Sequence, residues 1–274
     1  MPIKALTLAF CLTCASALPA HAQESTGLRG MATENEVLAW QAVGRLDADG
    51  RGFCTGTLIA PEFVLTAAHC VYDDRSGALI PAEKLTFRAG LRDGHAASER
   101  GISQIEAHPN YSPKARMSEE NVRHDVALLR LATPIQTNEL DPFVLHNRVI
   151  TSGPVSVVSY GRGRETVPSR QDVCRVEAAQ DDIMLMDCDI TFGSSGAPVF
   201  SSGVGRGQIV SVISGMVRID GRKYAVGMAL PEVVADLRHR MWANQQKPVA
   251  EARRIKIGSG SGRSTTGGAK FVRP

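Results

Sequence analysis

The apolar runs of this chain are short, and that restricts its fold more than any other feature. From Val37 onward each lasts a few residues before Gly, Pro, Asp or Asn interrupts it. Trp40 to Leu46, Phe53 to Ile59, Phe63 to Thr66, Leu85 to Ala89 and Ile102 to Ala107 come first. Val126 to Leu131, Val155 to Tyr160, Val173 to Ala178 and Ile183 to Asp187 follow. Val199-Phe200, Ile209 to Ser214 and Tyr224 to Met228 complete the series. Many short strands separated by turn signals predict an all-β sandwich or barrel. One stretch, Pro231 to Trp242, reads as a good helix. Pro231 suits the first turn, and Val233, Val234, Leu237 and Met241 recur at helical spacing and would pack on a barrel.

Three stretches carry chemistry. In Phe192-Gly193-Ser194-Ser195-Gly196-Ala197-Pro198 a serine sits between glycines, ahead of an apolar segment. A serine hydroxyl needs a base to take its proton, and the oxyanion formed by its attack needs backbone N–H groups aimed at one point. Glycines permit so tight a turn. Gly/Ser turns of this kind are usually only turns. In Leu65-Thr66-Ala67-Ala68-His69-Cys70 a histidine ends an apolar run, where packing is the commoner role for the side chain. In His124-Asp125-Val126-Ala127-Leu128-Leu129 an acid opens a buried strand, where an unpaired carboxylate is costly and an imidazole N–H is a good partner.

Thr66-Ala67-Ala68-His69-Cys70, Asp125-Val126-Ala127-Leu128-Leu129 and Gly193-x-Ser195-Gly196-x-Pro198 occur in the order His, Asp, Ser, with spacings of 56 and 70 residues. That order resembles the trypsin/chymotrypsin-like serine proteases, from about Val37 to Met241. The resemblance implies an all-β fold of two six-stranded antiparallel β-barrels, with the active site between them and a C-terminal helix. It places His69 and Asp125 on the first barrel (37–138) and Ser195 on the second (139–243, with the final helix), joined by a linker at Thr133 to Leu145. It implies His69 as general base, Asp125 as its orienting acid and Ser195 as nucleophile. The N–H groups of Gly193 and Ser195 would form the oxyanion hole. No cofactor and no metal are implied. The family also pairs the cysteine after the histidine with one upstream, here Cys54–Cys70. Cys174 and Cys188, which flank a hairpin-length segment, are left to pair with each other. A zinc site is the alternative for these cysteines, with spacings that are long for it and no paired histidines nearby.

The sequence departs from the family in two respects. The residue before the nucleophile is Ser194, where the family usually has an aspartate that pairs with a freed N-terminal ammonium. No Ile-Val-Gly-Gly start is present, Leu28-Arg29-Gly30-Met31 being the nearest stretch. This resembles bacterial members, such as the glutamyl-endopeptidase-like branch, whose oxyanion loop forms without cleavage. Specificity is divided. Six residues before the nucleophile stands Asp189, at the position that holds the acid of trypsin's primary pocket, so the resemblance there implies cleavage after Arg or Lys. The Ser-Trp-Gly wall falls on Ser211-Val212-Ile213, and Ala225 replaces a second glycine. Ser211 and its neighbours would bind substrate backbone, while Ile213 and Ala225 would narrow the pocket toward small or medium residues.

Residues 1–22 read as a secretion signal, with Lys4, an apolar core from Ala5 to Leu18 and an Ala20-His21-Ala22 cleavage site. The run is short for a membrane span, so no stable anchor is expected. Residues 23–36 are polar and read as loosely packed. Residues 244–274 are Gly/Ser/Thr-rich, with seven basic residues and one acidic, and read as a flexible tail. The whole chain carries +3, so the remainder is net negative and shows no nucleic-acid signature. An exported serine endopeptidase acting on proteins or peptides is expected. The alternative is a pseudoprotease that keeps the fold as a binding module. The oligomeric state is left open.

Overall fold

A computed structural model describes residues 26–203 and 205–245; the signal segment 1–22 and the tail beyond residue 245 lie outside them. The described chain opens with β1 (Arg29–Gly30) and α1 (Glu34–Leu38). It continues through β2 (Val43–Ala48), β3 (Gly52–Ala60), β4 (Phe63–Thr66), β5 (Leu85–Ala89), β6 (Ser98–Ala107), α2 (Glu119–Arg123) and β7 (Ala127–Leu131). After the linker come β8 (Gly153–Gly161), β9 (Arg164–Gln180), β10 (Ile183–Met186), β11 (Pro198–Ser201), β12 (Ile209–Ile219), β13 (Arg222–Ala229) and α3 (Pro231–Gln245).

Two closed barrels result. In the first the order is β2-β3-β4-β7-β6-β5, with β5 returning to β2. In the second, β9-β10-β13-β12-β11-β8 closes through a β8–β9 ladder. All these pairings are antiparallel, and closure leaves few free sheet edges. β5 alternates buried and half-buried residues, as a strand with one face on a core should.

The ends of the chain cross over. The segment read as loosely packed is docked in its described part: Arg29 and Gly30 pair with Arg170 and Ser169 of β9, and Met31 is 1% exposed. A capping box between Thr33 and Glu36 starts α1 immediately afterwards. At the other end, α3 was assigned with the second barrel but packs on the first. Val234, Leu237 and Met241 join the core that contains Phe63 and Leu129, and Gln104 of β6 donates to the Met241 carbonyl at 3.0 Å. Truncating Leu237 or Met241 to alanine should cost about 2–5 kcal/mol. The helix also runs to Gln245, past the boundary read from the sequence.

Two short helices were missed. Each of α1 and α2 has five residues, too few to display a helical period, but each has a capping side chain, from Thr33 and Ser118. β9 is 17 residues long, where only Val173 to Ala178 looked like a strand. Its first half is polar and contains Pro168, whose carbonyl accepts the Met31 N–H at 3.0 Å. An aromatic wedge joins the barrels: Trp40 stacks on Phe143 of the linker at 5.7 Å, and Phe143 lies 4.5 Å from Phe200 of the second barrel.

Candidate active site

The first barrel supplies a histidine and a carboxylate in contact. β4 ends at Thr66, and Ala67, fully buried like Ala68, caps a short 3-10 turn at Ala68–Val71 that carries His69. Small side chains let this turn lie flat on the barrel. The next residue, Cys70, is bonded to Cys54 of β3 across 6.1 Å between Cα atoms. Asp125 lies between the cap of α2 and the start of β7, and is 3% exposed. Its Oδ1 accepts the His69 backbone N–H at 2.8 Å, and its Oδ2 lies 2.7 Å from His69 Nδ1. A carboxylate there assigns the ring proton to Nδ1 and leaves the Nε2 lone pair free. Burial alone would lower the His69 pKa, but the charge and hydrogen bond of Asp125 outweigh it and hold the imidazole above its ordinary value.

The carboxylate has a third donor, which sequence reasoning missed. The Ser214 hydroxyl donates to Asp125 Oδ2 at 2.5 Å. The β12–β13 register shifts between Ile213 and Gly215, and Ser214 occupies that irregularity. Bulges re-aim side chains in this way.

The second barrel presents Ser195 at the other side of the same cleft, of about 670 Å³, which both His69 and Ser195 line. The loop before it is tight. Gly193 and Gly196 have φ of +95° and +78°, which favour glycine. A Cβ on Gly196 would fall 2.2 Å from Thr66 Oγ1 and from the Thr55 carbonyl. Among the described residues no acceptor meets the N–H of Gly193 or Ser195, so both are available to a ligand oxygen.

Thr55 clamps this loop to the first barrel, a role nothing in its spacing suggested. Its N–H donates to the Ser195 carbonyl at 2.8 Å, and its hydroxyl donates to the Gly193 carbonyl at 2.9 Å. That hydroxyl also accepts the Tyr160 N–H at 3.0 Å. Because Cys54 precedes Thr55 and is bonded to Cys70, the clamp and the histidine turn share one strand. The other cysteine pair is Cys174–Cys188. Both pairs are disulfides, so no thiolate remains for the zinc alternative.

The proposed specificity residues are displaced. Asp189 is exposed and does not line the cleft, and its N–H donates to Gln171 Oε1 at 2.7 Å. Ser211 is fully buried and donates to the Met228 carbonyl at 2.9 Å, so it cannot reach a substrate. The wall assigned to Ser211-Val212-Ile213 lies three residues later, at Ser214-Gly215-Met216. Ile213 does line the cleft, but its N–H and carbonyl are bonded to the Ala197 carbonyl and the Gly196 N–H. Ala225 is buried and pairs with Met216 across β12 and β13. The Met117 side chain covers Gly215, its Cε lying 2.4 Å from where a Cβ would stand.

Known proteins place this architecture. The model of the trypsin family matches residues 29–232. The CLIP domain-containing serine protease HP8 of Bombyx mori is 34% identical over 126 residues, 40% of this chain and 32% of that protein. Hypodermin-A of Hypoderma lineatum is 30% identical over 141 residues, 51% of this chain and 49% of its own. The chain thus spans at most about half the length of these relatives. A glutamyl endopeptidase structure shares the fold, with a TM-score of 0.66 at 19% identity over 80% of this chain and 97% of that one. With a family match over most of its length and two closed barrels around one cleft, the chain belongs to the trypsin family.

Proposed function

We propose that this protein is an exported serine endopeptidase. The observation that carries the proposal is the bonding of His69 to Asp125 at 2.7 Å in a cleft shared with Ser195, where two backbone N–H groups have no acceptor among the described residues. Ser195 Oγ attacks the scissile carbonyl while His69 Nε2 takes its proton. Asp125 stabilises the imidazolium, and the N–H groups of Gly193 and Ser195 receive the oxyanion. His69 then returns the proton to the leaving amine, and water hydrolyses the acyl-enzyme by the reverse sequence of proton transfers.

The substrate backbone lies along Ser214 to Met216, adding a strand at the cleft edge. Ile190, Ile213 and Met216 line an apolar pocket, and Met216 takes the space that a glycine would leave open. Cleavage after small or medium apolar residues is favoured. Cleavage after Arg or Lys would need an acid at that apolar pocket, and Asp189 does not line the cleft, whose acids are Asp74 and Glu165. Two disulfides fit an oxidising compartment and export. Activity needs no cut after Arg29, because Arg29–Gly30 is already a paired strand. A purified chain starting at Gln23 that is inert until cut there would refute this last point.

The test of the function is a fluorophosphonate probe on the purified protein. Labelling that is lost in Ser195→Ala is expected. A folded parent chain that takes no label would favour the pseudoprotease.

A further inference from the structure

We propose that Arg164 is a positioning residue: its guanidinium, seated beneath the oxyanion loop, holds Ser194 and thereby sets the Gly193 and Ser195 N–H groups. The proposal rests on the assignment of Ser195 as nucleophile.

Ser194 is fully buried, and its hydroxyl sits in a crowded polar nest. It accepts from Arg164 Nη2 at 3.2 Å and from the Thr191 N–H at 3.2 Å, and donates to the Tyr160 carbonyl at 3.3 Å. Ser159 Oγ lies 3.2 Å away. Arg164 also donates to the Ser159 carbonyl at 2.8 Å through Nη1 and to Ser159 Oγ at 3.3 Å from both terminal nitrogens. One planar fork therefore ties strand β8 to the loop.

The hairpin between β8 and β9 places this fork. Gly161 pairs with Arg164 across a two-residue turn, Arg162-Gly163, and Gly163 has φ +81°. A Cβ on Gly161 would fall 2.7 Å from Arg164 Nη2 and 2.6 Å from Thr191 Cγ2, so the bare glycine makes the slot. Burial pushes the Arg164 pKa down to about 10, with Asp189 and Glu165 opposing the shift. The group is thus a desolvated cation at neutral pH. A cation under the loop does here, from within the chain, the bracing that a neutral Ser194 cannot obtain by an ion pair. It also gives Asp189, which does not line the cleft, an electrostatic role: its charge favours the charged form of Arg164.

The experiment compares parent, Arg164→Met, Ser194→Ala and the double variant by the rate of fluorophosphonate labelling at Ser195. Amide hydrogen exchange of residues 191–196 and the Tm are measured alongside. Arg164→Met should slow labelling about 10- to 100-fold, less than or equal to the loss of an oxyanion donor. Exchange in 191–196 should rise about tenfold, with other segments little changed. The double variant should be no slower than the slower single, since both act through one contact. If Arg164→Met fails to fold, Arg164→Lys serves: it keeps the charge, cannot span Ser159 and Ser194 together, and should show a smaller loss in the same direction. Labelling and loop exchange equal to the parent in folded Arg164→Met or Arg164→Lys would overturn the proposal. So would losses that multiply in the double variant. Should the parent take no label while Arg164→Met still speeds exchange in 191–196, the brace stands and the protease assignment falls.

Discussion

Ser214 donates its hydroxyl to Asp125 Oδ2 at 2.5 Å, on the same oxygen that lies 2.7 Å from His69 Nδ1. A buried carboxylate with one donor would be expensive; with the His69 backbone N–H on Oδ1 it has three. Ser214 therefore orients the acid that orients the base. Ser214→Ala removes one charge-assisted bond, worth about 1.5–3 kcal/mol. Part of that should be recovered by water, so we expect kcat to fall about tenfold with KM little changed. A variant with parental kcat on any substrate the parent cleaves would show the bond to be incidental.

The pH profile follows from His69. Its pKa is held above the ordinary 6.5, and the base works only when neutral. Activity should therefore fall as pH drops through a value above 6.5, leaving the acid limb on the neutral side of an unperturbed histidine. Burial without the Asp125 charge would lower the pKa. The Asp125→Asn residual activity should accordingly have its acid limb at lower pH. An acid limb in the parent below 6.5 would contradict this.

Acid should also act on stability through His108. Burial, and then the neighbouring His124 ring stacked 4.3 Å away, push its pKa down to about 4. Asp236 and Glu120 oppose that shift while Arg240 adds to it. The folded state resists a proton that the unfolded chain accepts near the ordinary 6.5. The contribution is whole above pH 6.5 and is lost as pH falls toward 4. The group is part-exposed, so after allowance for screening the loss is on the order of 1 kcal/mol. His108→Phe, which keeps the ring, should lose less Tm than the parent between those pH values. Equal losses would assign the acid sensitivity elsewhere.

The disulfide Cys54–Cys70 closes a separation of 16 residues. Chain entropy predicts about 3 kcal/mol for a loop of that size. Cys54→Ala with Cys70→Ala should lower Tm by roughly 6–12 °C, given about 2–4 °C per kcal/mol for a domain of this size. Activity should fall even well below the new Tm, because Cys70 adjoins His69 and Cys54 adjoins the Thr55 clamp. Unchanged activity in the folded variant would mean the turn is held by packing alone.

The barrels were legible because strands with one face on a core show as short apolar or alternating runs between turn signals, and the chain contains these from β2 to β13. Arrangements that depend on irregular backbone were hidden. Ser211 and Ser214 are both serines in one apolar strand, and only the register shift between Ile213 and Gly215 decides which of them meets Asp125. A motif counted along the sequence cannot see that shift, and so placed the cleft wall three residues early. Thr55 and Arg164 were hidden for another reason. Their partners are 138 and 30 residues away, and neither has a local pattern that distinguishes it from an ordinary strand residue. Polar β1 and the first half of β9 stabilise each other by pairing, so neither reads as a strand alone.

The displaced wall makes Met216 the residue that sets the size of the pocket. It lines the cleft, where a glycine would leave a deeper slot, and its strand partner Ala225 is fully buried. Met216 is flexible and half-buried, and its removal leaves open space instead of a sealed cavity. Met216→Gly should keep the fold and shift a peptide-library cleavage profile from small or medium residues toward Leu and Phe. One methylene of pocket contact changes kcat/KM by roughly 10- to 200-fold. We therefore expect at least a tenfold rise for Phe relative to Ala at the cleavage position. A profile that does not move in Met216→Gly would place the pocket floor elsewhere. A parent enzyme that cuts after Arg or Lys would mean that an acid serves the pocket after all: loss of the preference in Asp189→Asn would assign it to that residue, and retention would assign it to Asp74 or Glu165, which line the cleft.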